Sequence, residues 1–344
     1  MVDNALSKST LKRSSGTNSG PLWTYATGDV IYSSSAVMNG VLYVGSWDRA
    51  LYALDAATGT HLWHYVTGNR IWSSPLVADG VVYVGSWDRA LYALSATTGI
   101  RLWSYMTGGG IQSSPAVANG VVYVGSWDCT LYALNVATGT LLWHYVTGAD
   151  IFSSPTVVNG VVYVGSFDAA LYALDAATGT LLWRYSTGGG IQSSPTVANG
   201  VVYVGSDDYN LYALDAATGS LLWHYVTGSI ISSSPTVANG VVYVGSDDYN
   251  LYALDAATGT LLWHYVTRGA IQSSPTVANG VVYVGSDDYD LYALDAVMGI
   301  QLWRYTTGNC IWSSPTVVDR IVYVGSNDHI LYAFLHLFPP YMEH

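Results

Sequence analysis

A tryptophan recurs every forty residues, eight times in register, at Trp23, Trp63, Trp103, Trp143, Trp183, Trp223, Trp263 and Trp303. A Val-Gly-Ser triplet keeps the same step, from Gly45 to Gly325, and no insertion or deletion breaks the phase. A fixed period of about 20–50 residues indicates a solenoid, a propeller or another array of one supersecondary unit. The copies also control for one another. Positions identical in all of them are expected to be scaffold, and positions that differ are where function could reside.

Residues 191–228 serve as the type repeat. Ser193-Ser194-Pro195-Thr196-Val197-Ala198 reads as a short first strand. Asn199-Gly200 follows, the pair preferred where both central residues of a type I′ hairpin turn need positive φ. Val201 to Ser206 reads as a second strand, rich in β-branched and aromatic residues. After a turn at Asp207-Asp208-Tyr209-Asn210 come a third strand, Leu211–Asp215, and a fourth, Leu221–Val226. No segment carries the 3.6-residue period of a helix. Four short antiparallel strands per repeat describe a propeller blade. Sandwiching between neighbours explains why Val201–Val204 is apolar throughout, and the recurrent proline (Pro75 to Pro315) fits an innermost edge strand.

The fold expected is therefore all-β: a single eight-bladed β-propeller over residues 21–335, with a leader at 1–20 and a tail at 336–344. Trp23 and Tyr25 form a fourth-strand sequence with no strands before them. Leu331-Tyr332-Ala333-Phe334 is a third strand with no fourth after it. Residues 22–26 should pair onto 331–335 and close the ring, removing exposed sheet edges.

Composition narrows the functional classes. Half of the 344 residues are hydrophobic, a tenth are charged and the net charge is −12. Nucleic-acid binding needs clustered Lys and Arg. The repeats hold no Lys, and their arginines are scattered. Cys129 and Cys310 lie in non-neighbouring repeats, so no disulfide is expected. No stretch reads as a membrane span. Residues 1–20 lack the apolar segment of a secretory signal and are rich in Ser, Gly and Asn. The chain is expected to be monomeric, and either cytoplasmic as it stands or, if trimmed, a periplasmic or extracellular protein.

The run Ala173-Leu174-Asp175-Ala176-Ala177-Thr178-Gly179-Thr180-Leu181-Leu182-Trp183 resembles the Ala-x-Asp-x-x-x-Gly-x-x-x-Trp motif of pyrroloquinoline-quinone (PQQ) repeat propellers. That family includes eight-bladed quinoprotein alcohol dehydrogenases and the BamB-type outer-membrane assembly scaffold. The resemblance covers residues 21–335, with the motif repeated seven times in register. Departures are local: Ser95 and Asn135 replace the Asp, and Leu335 stands there in the eighth copy. In physical terms the Asp accepts turn N–H groups, the Gly takes positive φ, and the Trp docks one blade on the next. All eight tryptophans are assigned to structure. As buried aromatics, each is expected to cost roughly 3–5 kcal/mol when cut to Ala.

The dehydrogenases of this family imply PQQ under a vicinal Cys–Cys disulfide, Ca²⁺ held by Glu, Asn and Asp, and a catalytic Asp. Here no cysteines are adjacent, and the only Glu is Glu343. No catalytic residue, metal ligand or cofactor is assigned. His64, His144, His224 and His264 recur one per fourth strand and read as exposed strand residues. The pairs Asp207-Asp208, Asp247-Asp248 and Asp287-Asp288 read as solvated turn carboxylates rather than Ca²⁺ sites.

Variation is concentrated. Residues 189–228 and 229–268 differ at five positions, four of them where a fourth strand runs into the next first strand. The residue after the following Ile also varies (Tyr32, Trp72, Gln112, Phe152, Gln192, Ser232, Gln272, Trp312), as does the turn between strands two and three. These connections should emerge on one face of the ring, with the near-invariant Asn-Gly and Ala-Ala-Thr-Gly turns opposite. All five non-docking tryptophans fall on the variable face. A rim of exposed aromatics with arginine suggests recognition. The candidate partner-binding residues are Trp47, Arg49, Arg70, Trp72, Trp87, Arg89, Trp127, Phe152, Phe167 and Trp312. The function expected is a non-catalytic scaffold for a protein or peptide, with a glycan as the other ligand class. The alternatives are a PQQ-binding quinoprotein, and a recently amplified repeat protein with little selected binding.

Overall fold

Each repeat folds into one four-stranded antiparallel sheet, and eight such sheets make up the computed structural model, which describes residues 20–335. The leader and tail otherwise lie outside the described residues. Blade one runs Ala36–Met38, Val41–Gly45, Ala50–Asp55 and His61–Val66, hydrogen-bonded in that order. The three-residue strands of neighbouring blades lie side by side around the axis. They are the inner strands, and the tryptophan-bearing strands are the outer edge. Asn199 and Gly200 take φ of 51° and 78°, the pattern of the expected type I′ turn.

Ring closure follows the expectation. Trp23–Ala26 pairs antiparallel with Ile330–Leu335, Trp23 opposite Ala333 and Ala26 opposite Ile330. The core is a set of wedges between blades. One combines Tyr43, Leu51 and Ala53 of blade one with Ile71, Val82, Val84 and Leu94 of blade two. The wedge that closes the ring joins Ile31, Leu42 and Leu54 to Tyr323, Leu331 and Ala333. Ile71 packs so tightly on Gly45 that a Cβ there would lie 2.2 Å from Ile71 Cγ2. The Val-Gly-Ser glycine is thus fixed by blade spacing.

The Ala-x-Asp-x-x-x-Gly-x-x-x-Trp motif links two blades. Asp175 Oδ1 accepts from Thr178 N and Oγ1, each at 2.8 Å. Gly179 has φ 72° and lies beneath the Trp143 indole of the preceding blade, where a Cβ would meet Trp143 Cε3 at 2.6 Å. Trp143 Nε1 donates to Ala176 O at 3.0 Å, and Tyr123 Oη donates to the same carbonyl at 2.9 Å. Seven of the eight docking tryptophans repeat this contact, including Trp23 onto Ala56 across the closure. They are only half-buried, because the outer strands alternate exposed and half-buried residues. The cost expected for a fully buried aromatic is therefore too high.

One strand is shorter than its sequence suggests. The inner strand is Thr196–Ala198, and Ser193-Ser194-Pro195 lies outside it. Pro195 lacks an N–H, and Ser194 bonds to a different blade. Ser34 N donates to Ser74 Oγ, Ser74 N to Ser114 Oγ, and so on until Ser314 N returns to Ser34 Oγ, every link 2.8–3.0 Å. Eight serines thus form a closed girdle around the axis.

Candidate binding face

Two kinds of loop meet on one face. Gly28 N donates to Asp48 Oδ2 and Trp47 N to Val30 O, joining the inter-blade junction to the turn between strands two and three. On the other face Ala56 N donates to Gly40 O, joining the two near-invariant turns. The grouping of variable loops expected from the repeats is the observed one.

Adjacent carboxylates in those turns do different jobs. Asp208 accepts from Gly188 N at 2.5 Å, Tyr212 Oη at 2.8 Å and Asn210 N at 3.1 Å. Its burial would raise its pKa, but the Tyr212, Asn210 and Gly188 donors outweigh that and hold it below the ordinary Asp value. This residue is Asp in every copy and is part of the turn. The residue before it changes around the ring: Trp47, Trp87, Trp127 and Phe167, then Asp207, Asp247, Asp287 and Asn327.

In the first half of the ring the rings pack on one another. Trp47 and Trp87 are 5.9 Å apart between centroids, Trp87 and Trp127 4.8 Å, and Trp127 and Phe152 5.3 Å. Phe152 meets Phe167 edge-on at 5.4 Å. Arg70 lies over Trp47, its Cζ 4.2 Å from the ring, and Arg49 and Arg89 are exposed at turn positions with φ of 78° and 75°. The expected rim of exposed aromatics needs correction. Trp47, Trp72, Trp87, Trp127, Phe152 and Trp312 are half-buried in a continuous cluster, while Phe167, Tyr209, Tyr249 and Tyr289 are the exposed rings. The indole N–H groups of Trp47, Trp87 and Trp127 are buried with no acceptor.

Inside this ring the residue after each conserved Ile lines an axial cavity of about 240 Å³. Tyr32 stacks on Trp72 at 4.7 Å and on Trp312 at 4.6 Å, filling one sector with aromatic surface. Gln112, Gln192, Gln272 and Ser232 make most of the rest polar.

The second half of the outer ring is acidic. Burial raises the carboxyl pKa of Asp207, Asp247 and Asp287. For Asp247, burial and then the charges of Asp287 and Asp207 push it up to about 6. Trp312 Nε1 donates to Asp287 Oδ1 at 2.6 Å, and Gln192 Nε2 to Asp207 Oδ2 at 3.3 Å. These hydrogen bonds tie the acidic arc to the cavity wall. Asp207, Asp247, Asp287 and Tyr32 were legible as variable positions, but nothing in a single repeat shows that residues forty apart share a surface.

Other sequence features stay apart. Cys129 and Cys310 are free thiols, and burial raises both pKa values. His64, His144, His224 and His264 are exposed on outer strands. Among the described residues no three His, Cys, Asp or Glu side chains are grouped to hold a metal ion. Among the described residues no helix is long and apolar enough to cross a membrane.

The family model described as outer membrane protein assembly factor BamB matches residues 7–151, 107–187, 147–234 and 226–336. No individual curated sequence matches. Among solved structures, BamB from Moraxella catarrhalis superposes with a TM-score of 0.81 at 20% identity, over 92% of this chain and 99% of that one. The computationally designed protein Ika8 gives 0.84 at 19% identity, over 92% and 100%. Quinohemoprotein alcohol dehydrogenase from Comamonas testosteroni gives 0.78 at 17% identity, over 93% of this chain and 77% of the enzyme. At these identities the likeness establishes the fold, which an assembly factor, a designed protein and an oxidoreductase all share.

Proposed function

The chain belongs to the PQQ-repeat propeller family described as outer membrane protein assembly factor BamB, and from that premise we propose that it is a non-catalytic scaffold that binds a protein partner through its variable face. The observation that carries this reading is the asymmetry of the two faces. One is set by near-invariant turns. The other gathers an aromatic cluster, three arginines and three poorly compensated carboxylates around an axial cavity. Half-buried aromatic rings beside charged groups are the usual anchors of a protein interface. The family description favours the exported alternative over the cytoplasmic one.

The quinoprotein reading is the weaker one on residue grounds. Quinone capture in those enzymes is implied to need adjacent cysteines, and Ca²⁺ to need Glu, Asn and Asp together. At this cavity the wall is Tyr32, Trp72, Trp312, Phe152, amides and a serine, with the stacked rings covering one another.

The test is a pull-down from the source organism with wild type and with Trp47→Ala/Trp87→Ala, both checked for cooperative melting. Loss of a stoichiometric partner in the variant supports the reading. Partners that survive the double substitution contradict the face assignment, and the absence of any reproducible partner favours an amplified repeat with little selected binding. Mixing with PQQ and Ca²⁺ addresses the enzyme alternative, and a stoichiometric quinone absorbance would favour it.

A further inference from the structure

The axial mouth lies where the aromatic and acidic sectors of the face meet. On one side Tyr32, Trp72 and Trp312 line the cavity, Tyr32 stacked between the two indoles. On the other, Trp312 Nε1 is bonded to Asp287, whose charge acts on Asp247, as does that of Asp207. Among the described residues no arginine bonds to Asp207, Asp247 or Asp287. Arg70 is engaged with Trp47, and Arg268 reaches the sector through its backbone N–H, at 2.9 Å from Asp288 Oδ2.

A second observation points the same way. Asn327 holds the equivalent position in blade eight, beside Asp287 in the ring. It is only 7% exposed, and its Oδ1 has no donor. Asp207 Oδ1 and Asp247 Oδ1 are also buried without donors. Asp247 makes no side-chain hydrogen bond at all among the described residues. Buried acceptors normally have partners. Ionised, Asp207, Asp247 and Asp287 offer acceptors alone. The missing component is a group made only of donors, positively charged, and able to lie against aromatic rings.

We infer that the mouth seats a cationic side chain of the partner protein, an arginine above all, between the Tyr32–Trp72–Trp312 cluster and the carboxylates of Asp207, Asp247 and Asp287. This rests on the reading of the face as a protein-binding surface. A guanidinium carries five N–H donors and no acceptor, so it completes the arc without adding an unpaired group. Its plane stacks on indole and phenol rings, which an ammonium does less well. The carboxylates are too dispersed to chelate one small ion, whereas a forked cation spans several oxygens. The chain's net charge of −12 attracts basic segments over longer range.

The probe is the peptide acetyl-Gly-Arg-Gly-Arg-Gly-amide, titrated calorimetrically into the full chain, with a citrulline version that keeps shape and loses charge. The arginine peptide should bind at least about tenfold more tightly than the citrulline peptide, the discrimination expected of charge-assisted hydrogen bonds. Asp207→Asn/Asp247→Asn should abolish that preference. Asp79→Asn, which removes a charge from the opposite face at a turn position where most copies have Asn, should leave it intact. Equal binding of both peptides, no binding of either, or a preference that survives Asp207→Asn/Asp247→Asn would overturn the inference. The pull-down separates it from the face reading. A partner lost with Trp47→Ala/Trp87→Ala but kept by Asp207→Asn/Asp247→Asn removes the cation seat alone. A partner kept by both pairs removes the face.

Discussion

Asp247 ionises near 3.8 in an unfolded chain and near 6 in the folded ring, where burial and the Asp287 and Asp207 charges oppose its ionisation. Between those values the folded state holds a proton that the unfolded state has released, so this residue's contribution to stability falls as pH rises through the window. The full gap would correspond to ~3 kcal/mol, and solvent screening of this partly exposed group reduces it to about 1–2 kcal/mol. Asp247→Asn has no charge to desolvate. It should match wild type below pH 4 and be more stable by about 1–2 kcal/mol above pH 6, as read from urea midpoints. A difference that is constant with pH would contradict the assignment. Asp207 and Asp208 look alike as turn carboxylates, yet one is spent on Gly188, Asn210 and Tyr212 and the other faces the cavity sector. Which way each points depends on the preceding blade, forty residues of pattern away.

Seven of the eight outer strands are held to the next blade by one indole and one glycine. Trp223 donates to Ala256 O at 3.1 Å and lies on Gly259, where a Cβ would come within 2.7 Å of the ring at φ 72°. Because the indole is half-buried, Trp223→Ala should cost about 2–3 kcal/mol, below the range for a fully buried aromatic. Gly259→Ala should be at least as damaging, since it combines a positive φ with a clash. Denaturant titration of both variants checks the order, and a neutral Gly259→Ala would contradict it. The closing strand carries more than one such link. Removing residues 1–27 deletes the Trp23–Ala26 pairing and the Trp23 to Ala56 bond together, leaving Ile330–Leu335 as an open edge. That deletion should lower the melting temperature or cause aggregation, and a soluble product with an unchanged melt would refute the closure's importance. This strand exchange was legible because the Trp23 copy of the fourth-strand sequence and the Leu331–Phe334 copy of the third stand at opposite ends of the repeat array. The serine girdle was not. It spends Ser-Ser-Pro on bonds between blades, and sequence pattern assigned that segment to a strand.

At the scale of the whole ring, the forty-residue period gave blade number, strand order, closure and the sorting of loops into two faces, because each follows from local turn chemistry repeated in phase. The packing of Trp47, Trp87 and Trp127 on one another, and the meeting of an aromatic arc with an acidic one at the axis, are consequences of closure and have no local sign. The central claim is that the variable face is the one that binds. Its most direct test is amide hydrogen exchange of the chain alone and saturated with a partner that wild type captures and Trp47→Ala/Trp87→Ala does not. Exchange should slow in peptides spanning residues 28–32, 46–49, 69–72 and 309–312, with the turns at 39–40 and 56–59 unchanged. Protection confined to those turns or to the outer strands, with the variable loops unaffected, would contradict it.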